Sequence, residues 1–259
     1  MPRRPARGQR GALLGAIVAF VLAMPASADH GGAAHSWTYG GAHGPTHWSE
    51  LDPEFSVCKT GHFQSPIDIR GATPADLPPI TFDYHDSPLK IVNNGHTIMV
   101  TPTAGSSISI GGKRYELVQF HFHHPSEEKV GGKQYDMVVH LVHKDSDGHL
   151  AVVGVLLKAG KADNALIDKL WAHLPKKPDE ENTVAPLLIN ADQLLPAQHG
   201  YYTFPGSLTT PPCSEGVTWY VLKEPVTISA KQVAQFAKIY PNNARPLQAI
   251  ADRPLQQTR

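Results

Sequence analysis

At 259 residues the chain has room for one large domain, and 23 Lys plus Arg balance 23 Asp plus Glu. That balance argues against a nucleic-acid partner, which needs a basic surface. Four of the arginines, Arg3, Arg4, Arg7 and Arg10, precede the apolar run GALLGAIVAFVLA and the small-residue stretch MPASA, so residues 1–28 read as an export signal cleaved after Ala28, with an uncleaved N-terminal anchor as the alternative.

Cleavage leaves residues 29–259 with 23 acidic against 19 basic side chains. The apolar run is short for a membrane span and no second one follows, so no membrane span is expected in the mature chain, which should be periplasmic or secreted. Two cysteines in an oxidising compartment, Cys58 and Cys213, predict one disulfide, with two free thiols as the alternative.

Residues 29–50 are rich in Gly, His and aromatics and read as irregular coil. Short strand-type runs follow: ITFDY, LKIV, TIMVT, SISI, YELVQFHFH, YDMVVHLVHK and LAVVGVLLKA. NNGH at 93–96 marks a turn between two of them. Only two stretches read as helices. DNALIDKLWAHL spaces Leu166, Leu170 and Leu174 at helical intervals, and SAKQVAQFAKIY opens with Ser229 and Gln232 at capping-box spacing. The reading is one β-rich domain with a few peripheral helices.

Alternate residues of a strand share a face. Leu117, Gln119, His121 and His123 are therefore expected on one side, with Val118, Phe120 and Phe122 on the other. In the next run Val138, His140 and Val142 share a face opposite Val139 and Leu141. The short connection between the runs predicts an antiparallel hairpin that stands His140 beside His121 and His123. Three imidazoles converging from two strands suit zinc with one open position. Ordinary hydrogen-bonded strand histidines are the alternative, and His124 and His143 are placed in that class.

His121-Phe-His123-x-x-x-Glu127 also matches the first half of a cupin metal motif. The second half, a Pro-x-Gly turn followed by His, is missing: FPGSLTTPP holds no histidine.

YTFPGSLTTPPCSEGVTWYVLKEP, taken with QSPIDI, NNGH, QFHFH and HLVH in this order, resembles the α-class carbonic anhydrases over roughly residues 37–245. The cysteine positions are similar to those of disulfide-bearing bacterial members. The resemblance implies a mixed, strand-dominated single domain over residues 29–259. Its centre would be a mainly antiparallel twisted sheet of about ten strands. It also implies one zinc on His121, His123 and His140 and reversible hydration of carbon dioxide to bicarbonate. Carried over residue by residue, Thr209 orients the nucleophile through Glu127, and Thr209 and Thr210 face the substrate. Val142, Val152, Leu208, Val217 and Trp219 form an apolar wall for carbon dioxide. His96 relays the proton through a water network ordered by Tyr39, Asn94 and Gln119. A homodimer is compatible with the resemblance, but no interface is legible.

Three positions depart from the pattern. Val138 stands where a carboxylate usually receives the third ligand's other N–H, Glu128 replaces a common histidine, and Met99 replaces a polar cleft residue. A noncatalytic binding protein on the same scaffold is the competing reading; the intact histidine triad argues against it.

Overall fold

The structure, a computed structural model, describes Met1 and residues 37–259. Apart from Met1, the expected leader and its cleavage point lie outside the described residues.

β-Branched and aromatic runs form one sheet of 13 strands. Ten lie on a single path, in the order Glu180–Ile189, Ser87–Asn93, Ile98–Val100, Lys113–His123, Met137–Lys144, Leu150–Gly160, Glu215–Leu222, Tyr201–Ser207, Gln256–Thr258 and Thr73–Ala75. Ile80–Asp83, Ser107–Ile110 and Val226–Ser229 attach beside that path. Most pairings are antiparallel. The exceptions are Leu150–Gly160 against Glu215–Leu222 and Val226–Ser229, and Gln256–Thr258 against Thr73–Ala75. A second, 3-stranded sheet joins Asp68–Ile69, Lys129–Val130 and Lys133–Gln134.

All seven runs read from the sequence are strands. NNGH turns as expected. Gly95 adopts φ +82°, open to glycine without steric cost, while Asn94 Oδ1 accepts the N–H groups of His96 and Thr97 at 3.0 and 2.9 Å. Glu180–Ile189 escaped the strand reading because it is a polar edge strand. It contains Pro186 and carries a register shift between Val184 and Leu188.

Both expected helices form, at Ala165–Trp171 and Ala230–Ala237, although the first ends before Leu174, which the sequence placed on its apolar face. The second has the full Ser229–Gln232 capping box, and Gln232 Nε2 also donates to Asp168 Oδ1 at 2.7 Å, tying the helices together. The coil expected for 29–50 is partly replaced by a single-turn helix at Trp48–Leu51. Trp48 is fully buried against Trp37, Tyr39 and the cysteine pair, and that burial orders the segment.

Apolar side chains cover both faces of the central strands. Val139 and Leu141 join the larger core with Phe120 and Phe122; Val138 and Val142 join a smaller cluster with Val152, Val217 and Trp219. One expectation fails in the neighbouring strand. Leu117 lies in the larger core together with Phe120, whereas Val118 is 41% exposed. Between the pairs Val142–Gln119 and His143–Leu117 the register shifts, so Val118 is an extra residue. This bulge reverses the alternation before Gln119 and leaves His121 and His123 on the expected face.

Candidate metal centre

His121 and His123 lie on Lys113–His123, and His140 lies on the adjacent antiparallel strand directly opposite His121. One nitrogen of each ring falls within 4.8 Å of the others. Two paired strands in the middle of a sheet provide a rigid mount, and their two-residue period aims all three rings at one point.

The outer nitrogens fix the tautomers. His121 Nδ1–H donates to Gln119 Oε1 at 2.8 Å, His123 Nδ1–H to the Asn243 carbonyl at 2.8 Å, and His140 Nε2–H to Glu128 Oε2 at 3.2 Å. Each acceptor requires a proton on the facing nitrogen, which leaves bare lone pairs on His121 Nε2, His123 Nε2 and His140 Nδ1. His123 Nε2 is buried without a hydrogen-bond partner. Three neutral imidazoles with converging lone pairs, one of them orphaned, fit a zinc ion.

Burial lowers His121 to about 3 and takes His123 well below its ordinary value, with His140 adding to both shifts. His140 behaves differently. Burial pulls it down, but Glu128, by charge and hydrogen bond, and then Glu127 raise it above its usual range. Glu127 is pushed up to about 7 chiefly by burial, a shift opposed by His140, the Arg245 backbone N–H and the Thr209 side chain. Its Oε2 lies 3.5 Å from His123 Nε2 and 3.9 Å from His140 Nδ1. A cation between these groups would favour the ionised carboxylate.

Thr209 and Thr210 sit on a loop closed by Leu208 N–H to Ser214 O at 2.9 Å and Cys213 N–H to Thr210 O at 2.8 Å. The expected Cys58–Cys213 disulfide is present and pins this loop. Arg245 braces the same region: its guanidinium donates to the Cys58 and Ser65 carbonyls at 2.9 and 2.8 Å, and its backbone N–H holds Glu127 Oε1 at 2.8 Å.

A cavity of about 120 Å³ gathers Tyr39, Asn94, His96, Gln119 and Thr210 with His121 and His123; Met99 also faces it. The His96 ring is stacked on Trp37, with centroids 3.6 Å apart and planes at 9°. The Tyr39 hydroxyl is buried with no hydrogen-bond partner. Val142, Val152, Val217 and Trp219 are buried in one apolar cluster with Leu208 packed against it. The Trp219 and His140 rings meet edge to face, with centroids 4.9 Å apart and planes at 79°.

His124 and His143 stay outside the triad. His124 Nδ1 bonds the Pro241 carbonyl, and His143 Nε2 lies 2.8 Å from the Tyr84 hydroxyl. Among the described residues a second group, Asp145, Asp147 and His149, also comes together. There Asp145 accepts the N–H groups of Asp147 and His149 and faces the Lys113 ammonium at 3.3 Å. It is a turn capped from within and already supplied with a cation.

The sequence profile described as Eukaryotic-type carbonic anhydrase matches residues 43–259. The chain belongs to the carbonic anhydrase family. A carbonic anhydrase of Klebsiella pneumoniae is 44% identical over 224 residues, 85% of this chain and 90% of the relative. One from a Nostoc strain is 41% identical over 223 residues, 84% of each chain. Among solved structures, a hyperthermostable carbonic anhydrase from an active hydrothermal vent chimney gives a TM-score of 0.83 at 44% identity. That match covers 86% of this chain and 100% of the other. The chain is thus an α-carbonic anhydrase, and reversible hydration of carbon dioxide is its activity.

Sequence reasoning missed one feature of this carbonic anhydrase site, the contact between Glu128 and His140. Its signal in the sequence is a pair of departures, a carboxylate lost at Val138 and another gained at Glu128.

Proposed function

We propose that this chain is an exported, zinc-dependent carbonic anhydrase in which His121, His123 and His140 hold one zinc ion per chain. The observation that carries the reading is the set of three bare imidazole lone pairs facing one point from two paired strands. Bound zinc supplies Lewis acidity that makes water nucleophilic at neutral pH. Three neutral ligands preserve that acidity, because an anionic ligand would cancel part of the metal's charge.

The Thr209 hydroxyl has one proton, which Glu127 would take as a hydrogen bond. It then offers only lone pairs to the reacting water, which must donate to Thr209 and so aims its own lone pair at the substrate carbon. The Thr209 backbone N–H and Thr210 receive substrate oxygen. Carbon dioxide, small and apolar, rests against Val142, Val152, Leu208, Val217 and Trp219. His96 passes the released proton to buffer through waters ordered by Tyr39, Asn94 and Gln119. A leader at 1–28 and the Cys58–Cys213 disulfide support an oxidising, periplasmic or extracellular location.

Stopped-flow carbon dioxide hydration on residues 29–259, with zinc quantified on the same sample, tests this reading. The expected result is one zinc per chain and fast turnover that His121→Ala abolishes. A fully zinc-loaded wild type without hydration would instead assign the site to binding.

A further inference from the structure

The geometry points to Glu128 as the positioning residue for His140, an inference that rests on the zinc reading above. Val138, two residues before His140, is fully buried among apolar side chains and has no acceptor to offer the ring. Glu128 reaches the same ring from a different segment, with Oε2 3.2 Å from His140 Nε2 and both side chains buried. The carboxylate that the strand lacks is therefore supplied from the connection that follows His123.

That connection is held firmly enough for the task. Ser126 Oγ donates to the Glu128 carbonyl at 2.8 Å and accepts the Tyr135 N–H at 2.9 Å. The next residue, Lys129, donates its N–H to Ile67 O at 3.2 Å and begins a strand parallel to Asp68–Ile69. The backbone on both sides of Glu128 is thus fixed to other elements, and its carboxylate is aimed rather than mobile.

Nothing else claims this carboxylate in the described structure. Its second oxygen, Oε1, is buried without a hydrogen-bond partner, and His140 is the basic group within ion-pair distance. A buried carboxylate facing neutral imidazoles is costly on its own. With Glu127 also buried beside the rings, two acids flank three imidazoles, an arrangement that suits a dication. Glu128 does two things for such an ion. It keeps the proton on His140 Nε2, so that Nδ1 presents its lone pair, and it makes the ring a more basic ligand.

Three measurements on residues 29–259 test the assignment. In the metal-free protein, imidazole ¹⁵N–¹H spectra should show His140 carrying its proton on Nε2. The isosteric Glu128→Gln should raise the zinc dissociation constant, read by chelator competition, about 10- to 100-fold. It should leave the melting temperature of the metal-free protein unlowered, a separation that a merely structural carboxylate would not give. Glu128→Gln combined with Val138→Glu should recover part of the lost affinity by returning a carboxylate to the strand.

Wild-type zinc affinity in Glu128→Gln overturns the inference, as does a metal-free His140 whose Nε2 carries no proton. The spectrum needs no variant and decides the question even if Glu128→Gln fails to fold. A wild type that takes up no zinc would sink the metal reading itself, a failure visible before any variant is made.

Discussion

His96 lines the cavity beside His121 and His123, where the proposed proton relay needs a base. Its ring is half-buried and stacked on Trp37, and burial lowers its pKa from 6.5 despite an opposing push from Asp179. Above pH 7 it is therefore neutral and ready to accept a proton, with its backbone fixed by Asn94 on one side and Asn243 on the other. His96→Ala should lower kcat on the order of 10²-fold in weak buffer while leaving kcat/KM intact. Added imidazole should restore the loss. Stopped-flow kinetics at several buffer concentrations would read this out, and an unchanged kcat would move the relay to another group. Asn94 and Gln119 show how residue roles overlap here. Asn94 Oδ1 is taken up in capping the turn and Gln119 Oε1 in orienting His121, so each has its amide N–H₂ left for water.

Strand pairing sets the shape of the apolar wall. Gly206, on Tyr201–Ser207, passes so close to the adjacent strand that an added Cβ would lie 2.7 Å from Trp219 Cδ1. Trp219 in turn packs edge to face with His140 and donates to Ser207 O at 3.1 Å. Gly206→Ala should cost about 1–3 kcal/mol through overpacking and reduce turnover by pushing Trp219 toward the ligand. Urea unfolding and hydration kinetics on the same sample would check it; a wild-type midpoint would show that the strand yields freely. The same scale explains what the sequence disclosed. His121, His123 and His140 were legible because regular pleating converts spacing into direction. The bulge at Val118 was not, since inserting one residue leaves the composition of the run unchanged while reversing the face of Leu117. The polar edge strand Glu180–Ile189 was hidden for a related reason: with little of it buried, no apolar alternation was required.

Across the whole molecule, neutral buried histidines make the fold sensitive to acid. His143 is lowered by burial to about 3, and the Tyr84 hydroxyl, whose pKa is raised by burial, donates to its Nε2. An unfolded His143 binds a proton near pH 6.5 and the folded one only near 3. Between those values the unfolded state carries more protons, so stability is full above pH 6.5 and falls as the pH drops toward 3. His143→Gln keeps an acceptor for Tyr84, and its melting temperature should decline less steeply across that window. Parallel slopes in thermal scans from pH 8 to 4 would assign the acid sensitivity elsewhere. At this scale the sequence yielded the family and the disulfide through ordered motifs. The Glu128–His140 contact stayed hidden because it joins two segments whose proximity only the folded sheet creates. The disulfide makes the two halves of the site answer differently to a reductant. Cys213 lies beside Thr209 and Thr210, whereas neither cysteine lies on the two paired strands that carry His121, His123 and His140. Reduction would free the Thr209 loop of its covalent tie and leave the pairing of the histidine-bearing strands untouched.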